Sequence, residues 1–250
     1  GSDEMPAMSN GIDVVLGYQA GFFNAAGSHK AKGNLIVPYV TDVIICEGVK
    51  SIGAYAFQEC SSLTEIIIPN NVTEIGESAF YECSSLTEII IPDNVTSVGK
   101  YAFSYCSSLT EITLSNNITK LESAIFGGCS SLTEIIIPNS VTEVESLVFV
   151  ECSSLKKITI PNNITIIEDG FFQDCTNLEE VIFSNNVTKI GESAFWGCAL
   201  KEVVLPNSVV EIEDKAFKMC SNLTKIEVPN SVTKIGTEVF MGVNNNFAIY

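Results

Sequence analysis

Residues 63–85 read LTEIIIPNNVTEIGESAFYECSS, and the next stretch of equal length, 86–108, reads LTEIIIPDNVTSVGKYAFSYCSS. The same pattern continues with little change to the end of the chain. A fixed period of about 20 to 50 residues is typical of repeat architectures, in which each unit buries its apolar side against its neighbours. The pattern therefore predicts a solenoid of stacked repeats.

Three landmark residues recur once in almost every unit. Phenylalanine recurs at Phe57, Phe80, Phe103, Phe126, Phe149, Phe172, Phe195, Phe217 and Phe240. Cysteine recurs at Cys60, Cys83, Cys106, Cys129, Cys152, Cys175, Cys198 and Cys220. Leucine recurs at Leu63, Leu86, Leu109, Leu132, Leu155, Leu178, Leu200 and Leu223. The first unit begins at Val40, so the repeat region is residues 40–250, which hold about nine units of similar length.

The flanks of the array do not fit the repeat. In residues 1–39 we interpret 1–5 as an expression-vector remnant and Ile12 to Phe23 as an N-terminal cap, because a solenoid needs cover for its first core layer. Residues 25–33 read as a loop and residues 34–38 as an extra strand beside the first repeat. The last residues, 243–250, lose the cysteine and are expected to form a short C-terminal cap.

The composition restricts the possible partners. Hydrophobic residues make up 46% of the 250 residues, and the formal net charge is -17. This charge disfavours nucleic acid or an anionic membrane and favours a basic partner. No apolar run reaches the roughly 18 residues of a membrane span, so no membrane insertion is expected.

Each repeat begins with a predicted strand. The stretch from Thr64 to Ile68 is β-branched and is followed by Pro69-Asn70-Asn71, which is typical of a strand that ends in a turn. Side chains alternate along a strand. Leu63, Ile66 and Ile68 are therefore expected to point into the core, and Glu65 and Ile67 to point outward.

The second half of each repeat carries a different apolar pattern. Val72 and Ile75 follow the turn and are expected to point inward. Ala79, Phe80 and Cys83 then have the i, i+1, i+4 spacing of a helical turn with one buried side. We therefore predict a short helical turn over residues 77–83 and over the equivalent residues of the other repeats.

The cysteines are interpreted as buried free thiols. Eight of the nine cysteines lie in the periodic column and only Cys46 lies outside it. Neighbours in a stacked column lie about 4.8 Å apart, but their Cβ vectors are parallel, which suits a disulfide poorly. A straight column also cannot surround a tetrahedral zinc ion. We expect small apolar residues with weak S–H donors, and no metal or cofactor.

The pattern Leu-x-x-Ile-x-Ile-Pro-x-x-Val-Thr-x-Ile-Gly-x-x-Ala-Phe-x-x-Cys resembles the BspA-like leucine-rich repeats of bacterial and protist surface proteins. The match runs from Val40 to about Phe240. The resemblance implies an α/β repeat solenoid, a right-handed superhelix with a concave parallel β-sheet and short helical turns on the other side. It also implies an extracellular or cell-surface location and, as in several members, adhesion to host matrix proteins or to other cells.

An enzyme is not expected from the inventory of reactive residues. The single histidine, His29, lies in a loop rich in glycine, alanine and serine outside the array. The column cysteines have no second histidine to activate them. The adjacent carboxylates Glu179 and Glu180 lie on a strand and so face opposite ways.

The outward columns of the strands are the predicted ligand face. One column contains Glu65, Glu88, Glu111, Glu134, Lys157, Glu180 and Glu202, and the other contains Ile67, Ile90, Thr113, Ile136, Thr159, Ile182 and Val204. Stacked like charges are unfavourable unless water screens them or a cationic partner compensates them. The isoleucines are either β-forming residues left exposed by duplication or the apolar part of a binding face. Trp196, on the side of the helical turns, is a weaker second candidate.

Two functions are consistent with this face. The first is an extracellular, adhesin-like module that presents the concave sheet to a protein ligand, such as a matrix or cell-surface protein. The alternative is a structural spacer of a larger surface protein, with no ligand of its own. Reversal of the first four glutamates to lysine should abolish binding by a module and leave a spacer unaffected.

The cysteine interpretation predicts nine free thiols in the folded protein. The protein would be alkylated under denaturing, non-reducing conditions and weighed by mass spectrometry. Nine labels are expected because every column cysteine is placed in the core. Two or more disulfides would contradict the stacked column.

Overall fold

The computed structural model describes residues 14–16, 41–45 and 48–250. This part of the chain contains nineteen short strands in two series and no helix. The first series has the bounds β1 Val14–Leu16, β2 Asp42–Ile45, β4 Glu65–Ile67, β6 Glu88–Ile90, β8 Glu111–Thr113, β11 Lys157–Thr159, β13 Glu180–Ile182, β15 Glu202–Val204, β17 Lys225–Glu227 and β19 Ala248–Ile249. The second has the bounds β3 Ser51–Ile52, β5 Glu74–Ile75, β7 Ser97–Val98, β9 Lys120–Leu121, β10 Glu143–Val144, β12 Ile166–Ile167, β14 Lys189–Ile190, β16 Glu211–Ile212 and β18 Lys234–Ile235.

Each strand pairs in parallel with its counterpart in an adjacent repeat. Ile66 of β4, for example, is opposite Val43 of β2, one repeat earlier. The first series forms the sheets β1-β2-β4, β6-β8, β11-β13 and β15-β17-β19, and the second forms β3-β5-β7, β9-β10 and β12-β14-β16-β18. The fold is therefore a parallel β-solenoid in which every repeat contributes the same face to the stack.

The core lies between the two strand series and the turn that closes each repeat. Leu63, Val72, Ala79 and Phe80 are fully buried, as the alternation predicts. Consecutive column phenylalanines stack with ring centroids 5.2 to 6.1 Å apart. This ring stack runs through all nine repeats and is continuous with the apolar columns beside it.

The predicted short helical turns are wrong, and with them the α/β assignment of the fold class. In residues 77–83, the N–H groups of Ser78, Phe80 and Glu82 donate to carbonyl oxygens of the next repeat, at 2.8 to 2.9 Å. Ser78 and Glu82 also have positive φ angles of 50° and 58°. An α-helix needs its N–H groups to bond four residues back with right-handed φ angles throughout. The segment is instead a chain of turns.

The column cysteines do more than fill space. Cys83 donates from Sγ to the carbonyl oxygen of Phe57 in the preceding repeat at 3.1 Å, and the six following cysteines repeat this bond at 3.0 to 3.2 Å. All eight column cysteines are buried and free, whereas Cys46 lies outside the described residues. Burial raises the pKa of Cys129 and Cys220 to about 12. These thiols stay protonated, which keeps them unreactive and preserves the S–H donor.

Only parts of the predicted flanks are described. Val14–Leu16, from the predicted N-terminal cap, pairs as β1 with β2 of the first repeat. The rest of that cap, the loop with His29 and the predicted strand at 34–38 lie outside the described residues. At the other end, β19 pairs with β17.

The ring stack predicts a position-dependent cost of removing a phenylalanine. Phe126 is fully buried between Phe103 and Phe149, so Phe126→Ala should lower the free energy of unfolding by about 3 to 5 kcal/mol through the cavity it leaves. Phe240 is only partly buried, against Phe217 and Phe247, so Phe240→Ala should cost clearly less. Urea denaturation measures both. Equal costs would contradict the linear stack.

Candidate functional site

The outward side of the first strand series, which we call the strand face, carries all fourteen residues predicted to contact a ligand. Every one of them is exposed. The isoleucines are the most conspicuous, with Ile67 at 71%, Ile90 at 67% and Ile136 at 85% exposure. Ile44, which is not among the predicted residues, is opposite Ile67 in the paired strand and is 55% exposed. The sequence could have identified Ile44, because it lies one repeat before Ile67 in the same column.

The strand register brings the predicted columns together. Glu88 of β6 is opposite Glu111 of β8, and Ile90 is opposite Thr113. Further along, Lys157 is opposite Glu180 and Thr159 is opposite Ile182. The acidic and apolar columns therefore run side by side across the strands, as the alternation predicted.

Charge is distributed unevenly along the strand face. Within the described residues, none of Glu65, Glu88, Glu111 and Glu134 forms an ion pair. In the same column, Lys157 lies 2.9 Å from the carboxylate of Glu180. Seven of the ten ion pairs in the described part join residues within 156–250. The unneutralised carboxylates are thus concentrated in the first five repeats.

The strand ladder is broken between β4 and β6 and between β13 and β15, and in the fifth repeat it is broken on both sides. Residues 134–136 stand where each neighbouring repeat has a strand, yet their N–H and C=O groups form none of the backbone hydrogen bonds found among the described residues. A cavity of about 590 Å³ lies between them and β11, lined by both segments. We call this cavity the slot. One end is closed by the N–H of Lys156, which donates to the carbonyl of Thr133 at 3.4 Å.

Bulky core residues accompany this opening. Ile125, Val148 and Phe171 occupy, in three consecutive repeats, the inward column that holds Ala79 and four other alanines, and Val239 occupies it near the end of the array. The Phe171 ring lies edge-on to that of Phe149, with centroids 5.5 Å apart. Extra volume in a close-packed core displaces its surroundings. The turn side remains joined, since the N–H of Phe149 donates to the carbonyl of Phe171 at 2.9 Å, so the repeats separate on the strand side.

The second strand series is open at the same junction. Strands β10 and β12 belong to different sheets, and a cleft of about 380 Å³ separates them. Beside the cleft, Lys120 Nζ lies 2.5 Å from Glu145 Oε1. Hydrogen bonds from Lys120 and Ser123 lower the pKa of Glu145 to about 2. Burial, assisted by Asp169, raises the pKa of Glu168.

Neither of these carboxylates belongs to a group of potential metal ligands within the described residues. Among the described residues, no group of three or more histidine, cysteine, aspartate or glutamate side chains is placed to hold a metal ion. Glu145 is committed to its ion pair with Lys120, and the column thiols are buried. The arrangement supports surface recognition better than it supports covalent or acid–base chemistry.

The second candidate, Trp196, is on the turn side and is partly buried. Lys218 Nζ lies 5.0 Å from the centroid of its ring, a cation–π contact. Lys218 also forms an ion pair with Glu238 at 2.6 Å. One face of the indole is therefore already occupied within the chain, which leaves less of it for a ligand.

The repeat pattern and the stacked strands agree with a known family. The model of the BspA type leucine-rich repeat region matches residues 38–156 and 142–247, with six copies. The chain belongs to this family. The predicted leucine-rich repeat solenoid is thereby confirmed, with turns in place of the helical segments.

Solved structures of bacterial leucine-rich repeat proteins are similar to the chain. A leucine-rich cell surface protein from Faecalibacterium prausnitzii is 30% identical over 84% of this chain and 72% of its own length, with a TM-score of 0.48. A leucine-rich repeat protein from T. pallidum is 31% identical over 62% and 75%, with a TM-score of 0.58. The pneumococcal vaccine antigen PcpA is 19% identical over 84% and 70%, with a TM-score of 0.45. Among curated proteins, none matches the sequence.

The family supplies a general function. BspA-like leucine-rich repeat proteins are surface proteins, and leucine-rich repeats generally mediate protein–protein interaction and are typically non-enzymatic. In the described residues, no helix has the length and apolar character to span a bilayer.

The Lys120–Glu145 pair predicts a pH dependence of stability. The pKa of Glu145 is lower in the folded protein than its ordinary value of 4.5. The ionised carboxylate therefore stabilises the folded protein above pH 4.5, and this stabilisation is lost as the pH falls toward about 2. Urea midpoints of Glu145→Gln should therefore fall less than those of the parent between about pH 6 and pH 3. Glu143→Gln is the control, because within the described part the exposed Glu143 carboxylate has no ion pair. Parallel curves for parent and Glu145→Gln would contradict the pairing.

Proposed function

We propose that the chain is an extracellular or cell-surface, adhesin-like module that binds a matrix or cell-surface protein through the strand face. The observation that carries this proposal is the column of exposed isoleucines beside an acidic row, by which we mean Glu65, Glu88, Glu111 and Glu134. This row has no ion pairs within the described residues. The two columns together supply an apolar centre and a charged margin, the usual anatomy of a protein interface. The fold positions them side by side on a rigid stack.

The isoleucines are not required by the fold. Thr113 and Thr159 occupy the same column in equally regular strands, so a polar β-branched residue is tolerated there. Ile67 and Ile90 nevertheless expose about two thirds of their area or more. Contiguous exposed apolar residues are uncommon on monomeric proteins and mark interaction surfaces. Their presence therefore supports contact with a partner.

The acidic row is likewise not required by the fold. Lys157 and Lys225 occupy the glutamate column later in the array, where each meets a carboxylate. Glu88 and Glu111 are directly opposite each other without a lysine, which is unfavourable in the free protein. A basic partner surface would remove this repulsion and would be steered toward the face.

The apolar part of the proposal is tested with Ile67→Thr, Ile90→Thr and Ile136→Thr in one protein. Parent and variant would be titrated against a panel of immobilised matrix and cell-surface proteins by surface plasmon resonance. We expect saturable binding of at least one panel member by the parent and about tenfold weaker binding by the variant, because a few buried contacts usually dominate. Melting temperatures within a few degrees would show that the fold is kept.

The matched control is Val210→Thr with Ile235→Thr. These side chains are 46% and 53% exposed but lie in the second half of their repeats, away from the strand face. The control should bind like the parent. If the triple variant binds like the parent as well, the strand face is not the site, and the Trp196 surface becomes the better interpretation. If the parent binds no panel member, the structural spacer becomes the better interpretation.

The electrostatic part is tested by reversal of Glu65, Glu88, Glu111 and Glu134 to lysine. Binding by the parent should weaken as salt rises, because the Debye length falls from about 10 Å at 0.1 M to about 3 Å at 1 M. The reversed protein should bind weakly at every salt concentration. Binding by the parent that does not change with salt would contradict a basic partner.

A further inference from the structure

The slot is unusual because the strand-like segment beside it, between the sheets β6-β8 and β11-β13, has unpaired main-chain groups. Residues 134–136 keep the alternation of their neighbours, with Glu134 and Ile136 outward and Ile135 inward. Repeats on both sides pair their equivalent strands in β6-β8 and β11-β13. Within the described residues, 134–136 is the one segment of this series without a ladder bond on either side.

We propose that the slot binds an extended segment of a protein partner, in which lysine or arginine is followed by two apolar residues, through main-chain hydrogen bonds. The inference rests on the proposed function, since it places one contact of that partner on the strand face. It adds the position of the contact, the conformation of the partner and the class of its side chains.

Backbone chemistry argues for an extended peptide. Unpaired N–H and C=O groups in a strand-like segment are a template for another strand, and strand addition is an established mode of peptide recognition. The slot of about 590 Å³ falls within the usual size of ligand sites. It is lined along its length by segments 133–137 and 156–159, which together match the run of an extended chain.

The side chains that line the slot predict the order of the peptide residues, a cation followed by two apolar residues. The Glu134 carboxylate has no ion pair within the described part, so a cationic peptide residue beside Glu134 would gain a partner. Across the slot, Lys157 is already neutralised by Glu180 at 2.9 Å and opposes that cation less. The next peptide residue lies beside Ile135 and Ile158, which point inward, and the one after it lies beside Ile136, the most exposed isoleucine of the face. Apolar side chains fit both positions.

A neighbouring buried hydroxyl points to the same loosened repeat. Ser140 Oγ is buried without a hydrogen-bond partner. The equivalent hydroxyls of Ser208 and Ser231 donate to carbonyl oxygens of the preceding repeat, at 2.5 and 2.7 Å. Within the described residues, the fifth repeat thus lacks a hydroxyl bond to the preceding repeat that these two later repeats form.

The test uses a capped seven-residue peptide whose centre is lysine followed by two valines. Its binding to the full chain would be measured by isothermal titration calorimetry, with a second peptide of identical side chains but alternate N-methylated amides. We expect saturable binding of the first peptide and at least about tenfold weaker binding of the second, because N-methylation removes the donors of the added strand. Amide exchange of Ile135, whose N–H faces the slot, should slow at saturation.

Two variants of one residue separate the main chain from the side chain. The N–H of Thr159 faces the slot, because the equivalent N–H of Tyr250 donates to the preceding repeat. Thr159→Pro removes this N–H, which has no partner within the described part of the chain, so folding should be kept, whereas Thr159→Val keeps it. We expect Thr159→Pro to bind the peptide at least about fivefold more weakly than Thr159→Val, as a lost hydrogen bond implies.

The outcomes are distinct from those of the proposed function. Equal binding of the two peptides, or equal affinity of Thr159→Pro and Thr159→Val, would overturn the slot proposal even if the strand face still binds a panel protein. Failure of the panel experiment together with peptide binding that needs the Thr159 N–H would instead overturn the surface-protein partner and leave the slot as a peptide site.

Discussion

Each repeat is joined to the next by backbone N–H groups that point along the stack at alternate positions of its turn segment. Tyr55, Phe57 and Glu59 donate to the repeat that begins at Leu63, and later repeats use the equivalent three positions. The geometry requires left-handed φ angles at the first and third of these residues, as at Tyr55 and Glu59. Such a conformation costs about 1 to 2 kcal/mol per non-glycine residue. The crossing bonds and the buried columns offset that cost.

This constraint also fixes what the inward columns can contain. A cysteine placed after the third donor reaches the preceding phenylalanine carbonyl with its thiol, and a phenylalanine between the first and third donors stacks on the next ring. Outward positions carry no such requirement. The face that could meet a partner is therefore free to vary in charge and polarity, as the change from Glu134 to Lys157 shows, while the stack beneath it stays the same.

Much of the architecture could be predicted from the sequence, because the period and the alternation depend on local patterning. The strands, the inward columns and the exposure of Glu65 and Ile67 follow from them. The helical turn was wrong since the spacing of Ala79, Phe80 and Cys83 reports which side is buried and not where the intervening N–H groups point. The left-handed positions are occupied by residues such as Ser78 and Glu82 and not by glycine, so the sequence gives no sign of them.

Only part of the candidate site could be predicted from the sequence. Its side chains could be named from the repeat, but the interruption at 134–136 arises from packing between repeats. One signal at this place was in the sequence, since Ile125, Val148 and Phe171 replace alanine in the inward column of three consecutive repeats and add volume to the core there.

The crossing bonds of the turn segments, which recur from repeat to repeat, have a consequence for how such a chain evolves. Because the crossing bonds use main-chain atoms, a copied repeat can be inserted between any two others without new contacts having to be invented. Unequal recombination would thus lengthen the array in whole units, and each event would add one carboxylate and one isoleucine to the surface. The missing residue between Cys198 and Leu200, in a turn, shows that such units also tolerate small copying errors. The length of the gene would then set how many repeats can contact a partner at the same time. Selection could therefore change the avidity of binding by changing the number of repeats.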